Sequence, residues 1–97
     1  MENMPIRCSA IIEMAGKPKE HIEKTIRAYI VDLKKQDGIM LLKEDYANAE
    51  EKDGIWAVFV EVEMIVKGLT RFINFCLSYM PSSIEIIKPE SFQMKNA

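Results

Sequence analysis

The sequence has few of the residues from which metal and redox centres are usually built. It contains two cysteines, Cys8 and Cys76, and a single histidine, His21. The cysteines lie far apart in apolar surroundings and form no C-x-x-C pair, which argues against a zinc or thioredoxin-like motif. We interpret both as small core residues and the histidine as an ordinary surface side chain. No cofactor, metal ligand or catalytic residue is predicted.

The chain also lacks long apolar runs and a strong excess of one charge. No signal-like stretch and no apolar run of membrane-spanning length is present, so we expect a cytoplasmic protein without a membrane partner. Thirteen basic and fifteen acidic residues give a net charge of -2, which argues against general attraction to nucleic acid. At 97 residues and 48% hydrophobic, residues 1–97 are predicted to form one domain, with an ordered core over about 5–89 and a frayed tail over 90–97.

The first half of the chain predicts a strand, a helix and a second strand. Residues 6–14 alternate between apolar even positions and more polar odd positions, the period-two pattern of a half-buried strand. Residues 18–36 have apolar side chains at spacings of three and four, with a proline suited to the first helical position. Residues 39–47 alternate weakly and carry charges typical of an edge strand. Residues 48–54 predict an acidic hairpin loop.

The second half predicts the same order of elements. Residues 56–66 are apolar at every even position, which is the strongest strand pattern in the sequence. Residues 69–80 predict a second helix, whose apolar arc is widened by Phe75 and Leu77, and residues 84–87 predict a short last strand. The fold class is therefore α+β: a ferredoxin-like β-α-β-β-α-β sandwich whose four-stranded antiparallel sheet, in the order 4-1-3-2, has two helices on one face.

This fold leaves one sheet face open, and the odd residues of the two central strands share it because successive strand side chains point in opposite directions. If paired residue numbers sum to about 70, Arg7 lies opposite Glu63 and Ile11 opposite Phe59. The two apolar side chains are either scattered exposed groups without a role or covered by a partner subunit, the interpretation we favour. The candidate binding residues on the open face are Arg7, Ile11, Glu13, Phe59, Glu61 and Glu63.

The carboxylates of the open face allow two further interpretations. Glu13, Glu61 and Glu63, joined by Glu85 of the last strand, can act as general acid or base, or bind a cation or small ligand. Alternatively they are solvated charges on the wet face of a sheet, with Arg7 balancing one of them. The second interpretation is favoured, because no histidine, aspartate or nucleophile lies at an informative spacing.

The first helix is basic, which makes an RNA- or ribosome-associated factor an alternative. Residues 17–35 contain six basic and three acidic side chains. An RNA-recognition motif stacks bases on aromatics of its open face, but Ile55 and Ala57 occupy the corresponding positions here. Nucleic acid is therefore not the favoured partner. The candidate RNA contacts are Lys17, Lys24, Arg27 and Lys34.

Residues 75–86, FCLSYMPSSIEI, together with residues 59–64, FVEVEM, resemble a family of small archaeal proteins without an assigned activity. The resemblance covers the chain from Ile6 to about Glu90. It implies an α/β sandwich in a cytoplasmic archaeal setting and brings no catalytic residues. From the residues themselves we predict a non-enzymatic binding or regulatory module that self-associates through its open sheet face or its edges, as a homodimer or as part of an assembly with another protein partner.

Overall fold

The computed structural model describes residues 4–89, so the predicted tail over 90–97 lies outside the described residues. Five strands and two helices follow one another along this part of the chain. In order they are β1 (Pro5–Gly16), α1 (Lys19–Lys34), β2 (Ile39–Tyr46), β3 (Glu50–Lys52), β4 (Ile55–Lys67), α2 (Leu69–Tyr79) and β5 (Ser83–Lys88). The α+β class with two helices is confirmed. That the whole chain is one domain stays a prediction.

The strands form one antiparallel sheet in the order β2-β4-β1-β5, with β3 also paired to β4. The predicted number of four strands is therefore corrected to five, and the additional strand changes the numbering. The four predicted strands themselves lie in the order 2-3-1-4, which is 4-1-3-2 read from the other edge. The additional strand, Glu50–Lys52, lies in the segment predicted to be a loop. A tight turn follows it, in which Asp53 and Gly54 both have positive φ, and the chain returns directly as β4. The three residues of β3 are all charged, so the alternation of apolar and polar residues that predicts a strand is absent there.

The central strands β1 and β4 pair two positions away from the predicted register. Arg7 lies opposite Ile65 rather than Glu63, and Ile11 lies opposite Glu61 rather than Phe59. The predicted register is wrong because alternation determines only which face a side chain occupies. A shift of two residues leaves every side chain on its face, so the pattern cannot distinguish the two registers.

The core lies between the sheet and both helices. The even residues of β1 and β4 are buried there, as predicted, with one side of each helix. Since these strand residues all point to one face of the sheet, both helices cover that face. The buried apolar cluster consists of Ile6, Cys8, Ala10, Ile12, Val58, Val60, Val62, Met64 and Val66 from the sheet and Ile22, Ile26, Ile30, Leu33, Phe72 and Phe75 from the helices.

One residue of α2 differs from its predicted position. Phe75 was expected to add surplus apolar surface beside Leu77, but it is only 2% exposed. It lies three residues after the buried Phe72, and its ring stacks on Tyr79 with the centroids 5.4 Å apart. The buried stripe of α2 therefore extends further toward α1 than the sequence pattern indicated, and Leu77 lies on the outer side.

Candidate functional site

The open face contains an ion pair between two of the predicted site residues. The Nε of the Arg7 guanidinium donates to Glu63 Oε2 at 2.8 Å, and Nη2 of the same guanidinium donates to the same oxygen. The two residues are diagonal neighbours, since Ser9 lies directly opposite Glu63. Arg7 therefore balances one carboxylate, as expected. Because both side chains are partly exposed, such a pair contributes roughly 0–1 kcal/mol to stability.

The remaining predicted carboxylates have separate partners. The Ser9 hydroxyl donates to Glu61 at 3.4 Å, and the Ser82 hydroxyl donates to Glu13 at 3.1 Å. Within residues 4–89, no three His, Cys, Asp or Glu side chains are grouped so that they could hold a metal ion. Glu61, Glu63 and Glu85 line one shallow depression together with Asp45 and Lys43, whereas Glu13 lies outside it.

The apolar pair on the open face lies beside acidic groups. Phe59 is 43% exposed and lies opposite Glu13, while the half-buried Ile11 lies opposite Glu61. By the strand pairing, this face also carries further charges, namely the acids Asp45, Glu50 and Glu85 and the bases Arg7, Lys43, Lys52, Lys67 and Lys88. Six carboxylates thus accompany five bases. The open face is a surface of mixed charge, and Glu13 and Glu61 lie directly beside its apolar pair.

The predicted RNA contacts on and before α1 do not form one row. Lys34 Nζ lies 2.7 Å from Glu44 of β2, and this hydrogen bond raises the pKa of Lys34. The Arg27 guanidinium lies over the ring of Tyr46, 4.1 Å from its centroid. Lys17 and Lys24 are exposed. Two of the four cations are therefore directed toward β2.

Three exposed apolar side chains lie along one side of α2. Ile73, Leu77 and Met80 are spaced by four and three residues and are 48%, 71% and 78% exposed. The opposite side of α2 contacts α1, because Tyr79 meets Tyr29 edge to face at 4.9 Å. The exposed arc therefore faces away from α1.

The same flank includes the edge strand β5. Ile84 and Ile86 lie beside Ala10 and Cys8 of β1, so they point to the helix-covered side of the sheet, yet they remain 37% and 38% exposed. Within residues 4–89, β5 pairs only with β1. The α2–β5 apolar surface consists of Ile73, Leu77, Met80, Ile84 and Ile86.

A groove of about 430 Å³ lies between the two helices on the other flank of α2. The Tyr79 hydroxyl donates to Asp32 Oδ2 at 2.6 Å, and the Tyr29 hydroxyl donates to the Ser78 carbonyl at 3.3 Å. Burial, and next the hydrogen bond to Asp32, raises the pKa of Tyr79 to about 12. Arg71 lines the far end. The sequence did not predict this groove, because the pattern of each helix indicates only which of its residues are buried and not which residues of the other helix they meet.

Fold and surfaces together define a small α+β protein with two exposed faces, one charged and one apolar, and a polar groove. The chain belongs to the MJ0538 family, which matches residues 7–97 and is a family of small uncharacterised proteins. The resemblance noted in the sequence is thereby confirmed. No curated protein and no solved structure matches the chain.

Neither helix in residues 4–89 has the length and apolar character needed to cross a lipid bilayer. The cytoplasmic location and the archaeal setting stay predictions.

Proposed function

We propose that this protein is a non-enzymatic binding module with a ferredoxin-like fold, and that it acts as a homodimer joined through the α2–β5 apolar surface. The observation that carries the proposal is the exposure of five large apolar side chains beside an edge strand. Apolar surface of this kind on a soluble domain commonly marks an interaction site. The dimer would leave two charged open faces free for further partners.

A second copy of the chain suits this surface because of how edge strands pair. An edge strand presents unpaired N–H and C=O groups, and antiparallel pairing about a twofold axis satisfies the same groups in both copies. Ile84 and Ile86 would then meet their counterparts on the helix-covered side of a continuous sheet. In α2 the only charged residue is Arg71, which lines the opposite flank, so little charge opposes the approach of a second α2.

The charge of the open face favours the edge over face-to-face association. Two copies joined through Phe59 and Ile11 would bring Glu13 and Glu61, which lie directly opposite those side chains, against the same carboxylates of the other copy. Like charges in a desolvated interface cost several kcal/mol, on the order of the gain from two apolar side chains. The centre of the open face is therefore less suited to a second copy of this chain than the α2–β5 apolar surface.

The two alternative functions have less support. An RNA-binding helix would need its cations directed outward, whereas Arg27 and Lys34 contact β2. Catalysis or cation binding on the sheet face would need Glu13, Glu61 and Glu63 to converge, whereas Glu13 and Glu61 accept bonds from different serines and Glu63 pairs with Arg7.

Sedimentation equilibrium tests the homodimer. We expect the native chain to sediment as a dimer at micromolar concentration and the double variant Leu77→Lys, Ile86→Lys to sediment as a monomer, because two lysines cannot be buried against their own copies without partners. Phe59→Glu is the matched control, since Phe59 is exposed to a similar extent as Ile86 but lies on the open face. This control is expected to remain a dimer.

Circular dichroism must show that the double variant keeps its fold, which we expect because both replaced side chains are exposed. A native chain that stays monomeric up to millimolar concentration contradicts the proposal. So does a dimer that dissociates on Phe59→Glu and survives the double substitution, because the interface would then be the open face.

A further inference from the structure

We infer that the groove between α1 and α2 binds a small zwitterion of dipeptide size, with its ammonium group against Asp32 and its carboxylate against Arg71. The groove volume of about 430 Å³ lies within the range of roughly 300–1,000 Å³ typical of small-molecule sites. The inference goes beyond the proposed dimer and does not depend on it, because the groove and the α2–β5 apolar surface lie on opposite flanks of α2.

The ammonium end of the site is built around Asp32. A carboxylate offers about four acceptor positions, and the Tyr79 hydroxyl takes one of them at 2.6 Å, which holds the side chain in the groove. With a pKa of about 12, Tyr79 stays protonated and keeps donating throughout the physiological pH range. The rings of Tyr29 and Tyr79 line the same end and offer aromatic surface to a cation.

The carboxylate end of the site is Arg71. Its Nη1 donates to the Lys67 carbonyl at 3.1 Å, which orients the guanidinium, and its Nη2 lies 3.6 Å from Asp37 Oδ2. The Asp37 side chain is fully exposed, so this ion pair is readily exchanged. It shows that a carboxylate can approach Arg71 at this position, and a guanidinium can bind such a group through two N–H donors.

The separation of the two ends sets the length of the ligand. Arg71 and Tyr79 are eight residues apart on α2, so their backbone positions are about 12 Å apart along the helix axis. Taking this as the spacing of the two ends, and allowing about 2.8 Å for each of two charge-assisted hydrogen bonds, we expect a ligand whose ammonium and carboxylate groups are about 6 Å apart. Asn74 and Ser78 line the groove between the two ends and supply polar contacts.

A length series of unbranched ω-amino acids tests the site by calorimetry. From glycine to 6-aminohexanoate the charges move apart while their chemistry stays the same, so we expect glycine to bind weakest and the five- and six-carbon members strongest. The alkylamine and the carboxylate of matching length, which each lack one charge, are expected to bind at least about tenfold more weakly, since one charge-assisted hydrogen bond is worth about 1.5–3 kcal/mol.

Single substitutions identify the two ends. Asp32→Asn and Arg71→Met are each expected to weaken binding of the best probe at least about tenfold. Asp37→Asn is expected to strengthen it, because the competing carboxylate is removed from Arg71. Glu51→Gln, an exposed change on β3, is the control and should have no effect. The absence of binding by every probe at millimolar concentration would overturn the inference, as would binding that Asp32→Asn and Arg71→Met leave unchanged.

Discussion

Val62→Lys is expected to leave most of the chain unfolded. Val62 is fully buried in the central strand β4, with Ala10 and Glu44 as its neighbours on β1 and β2. The one carboxylate opposite it, Glu44, is already paired with Lys34, so a lysine there would bury a second cation in an apolar core, which costs several kcal/mol. A domain of this size has about 5–15 kcal/mol of total stability, so most of it would be lost. Circular dichroism and dispersion of the amide NMR spectrum measure the loss.

Glu61→Lys is the matched control for this prediction. Glu61 is the preceding residue of β4, is exposed, and lies on the open face. The same lysine is expected there to change the free energy of unfolding by no more than about 0.5 kcal/mol, as for most surface substitutions. If Glu61→Lys unfolded the chain while Val62→Lys was tolerated, the two faces of β4 would have been assigned the wrong way round.

Phe75→Ala has the second large effect, a loss of about 3–5 kcal/mol in the free energy of unfolding. The ring is 2% exposed, belongs to the core cluster and stacks on Tyr79. Its removal leaves a cavity beneath the groove that the surrounding side chains can fill only in part. Urea denaturation measures the change, which should lower the midpoint while the slope stays constant.

The substitution Asn74→Ala, at the neighbouring position, is the control. It shows whether a loss of stability in Phe75→Ala comes from the core or from any change in α2. Asn74 is exposed, and alanine is a better helix former, so the free energy of unfolding is expected to stay within about 0.5 kcal/mol. A loss below about 1 kcal/mol for Phe75→Ala would place this side chain outside the core, on the surplus apolar arc that the sequence pattern first suggested.

The sequence predicted the fold correctly where a repeating apolar pattern is compatible with one structure only. In β1 and β4 the apolar residues recur at every second position, which determines the buried face, and the even residues from Ile6 to Ile12 and from Val58 to Val66 are buried as predicted. The register of the same strands was not determined, because a two-residue shift preserves every face. Ile11 therefore lies beside Glu61, and Phe59 lies beside Glu13 rather than Ile11.

The features that sequence reasoning missed depend on contacts between elements. The strand β3 forms because the chain turns tightly at Asp53 and Gly54, although its own charged residues show no strand pattern. The groove requires Asp32 and Tyr79, 47 positions apart, to meet across two helices. The strand predicted from Ile84 and Ile86 is present as β5. Only the structure shows that α2 leaves these two side chains partly exposed at the edge of the sheet.

The central functional claim is that a second copy of this chain covers the α2–β5 apolar surface. Isotope-filtered NMR on a mixture of labelled and unlabelled chains tests it most directly, because it detects only contacts between copies. We predict intermolecular contacts among the methyl groups of Leu77, Ile84 and Ile86. Contacts that arise instead from Phe59 and Ile11, or no intermolecular contact at millimolar concentration, would contradict the claim.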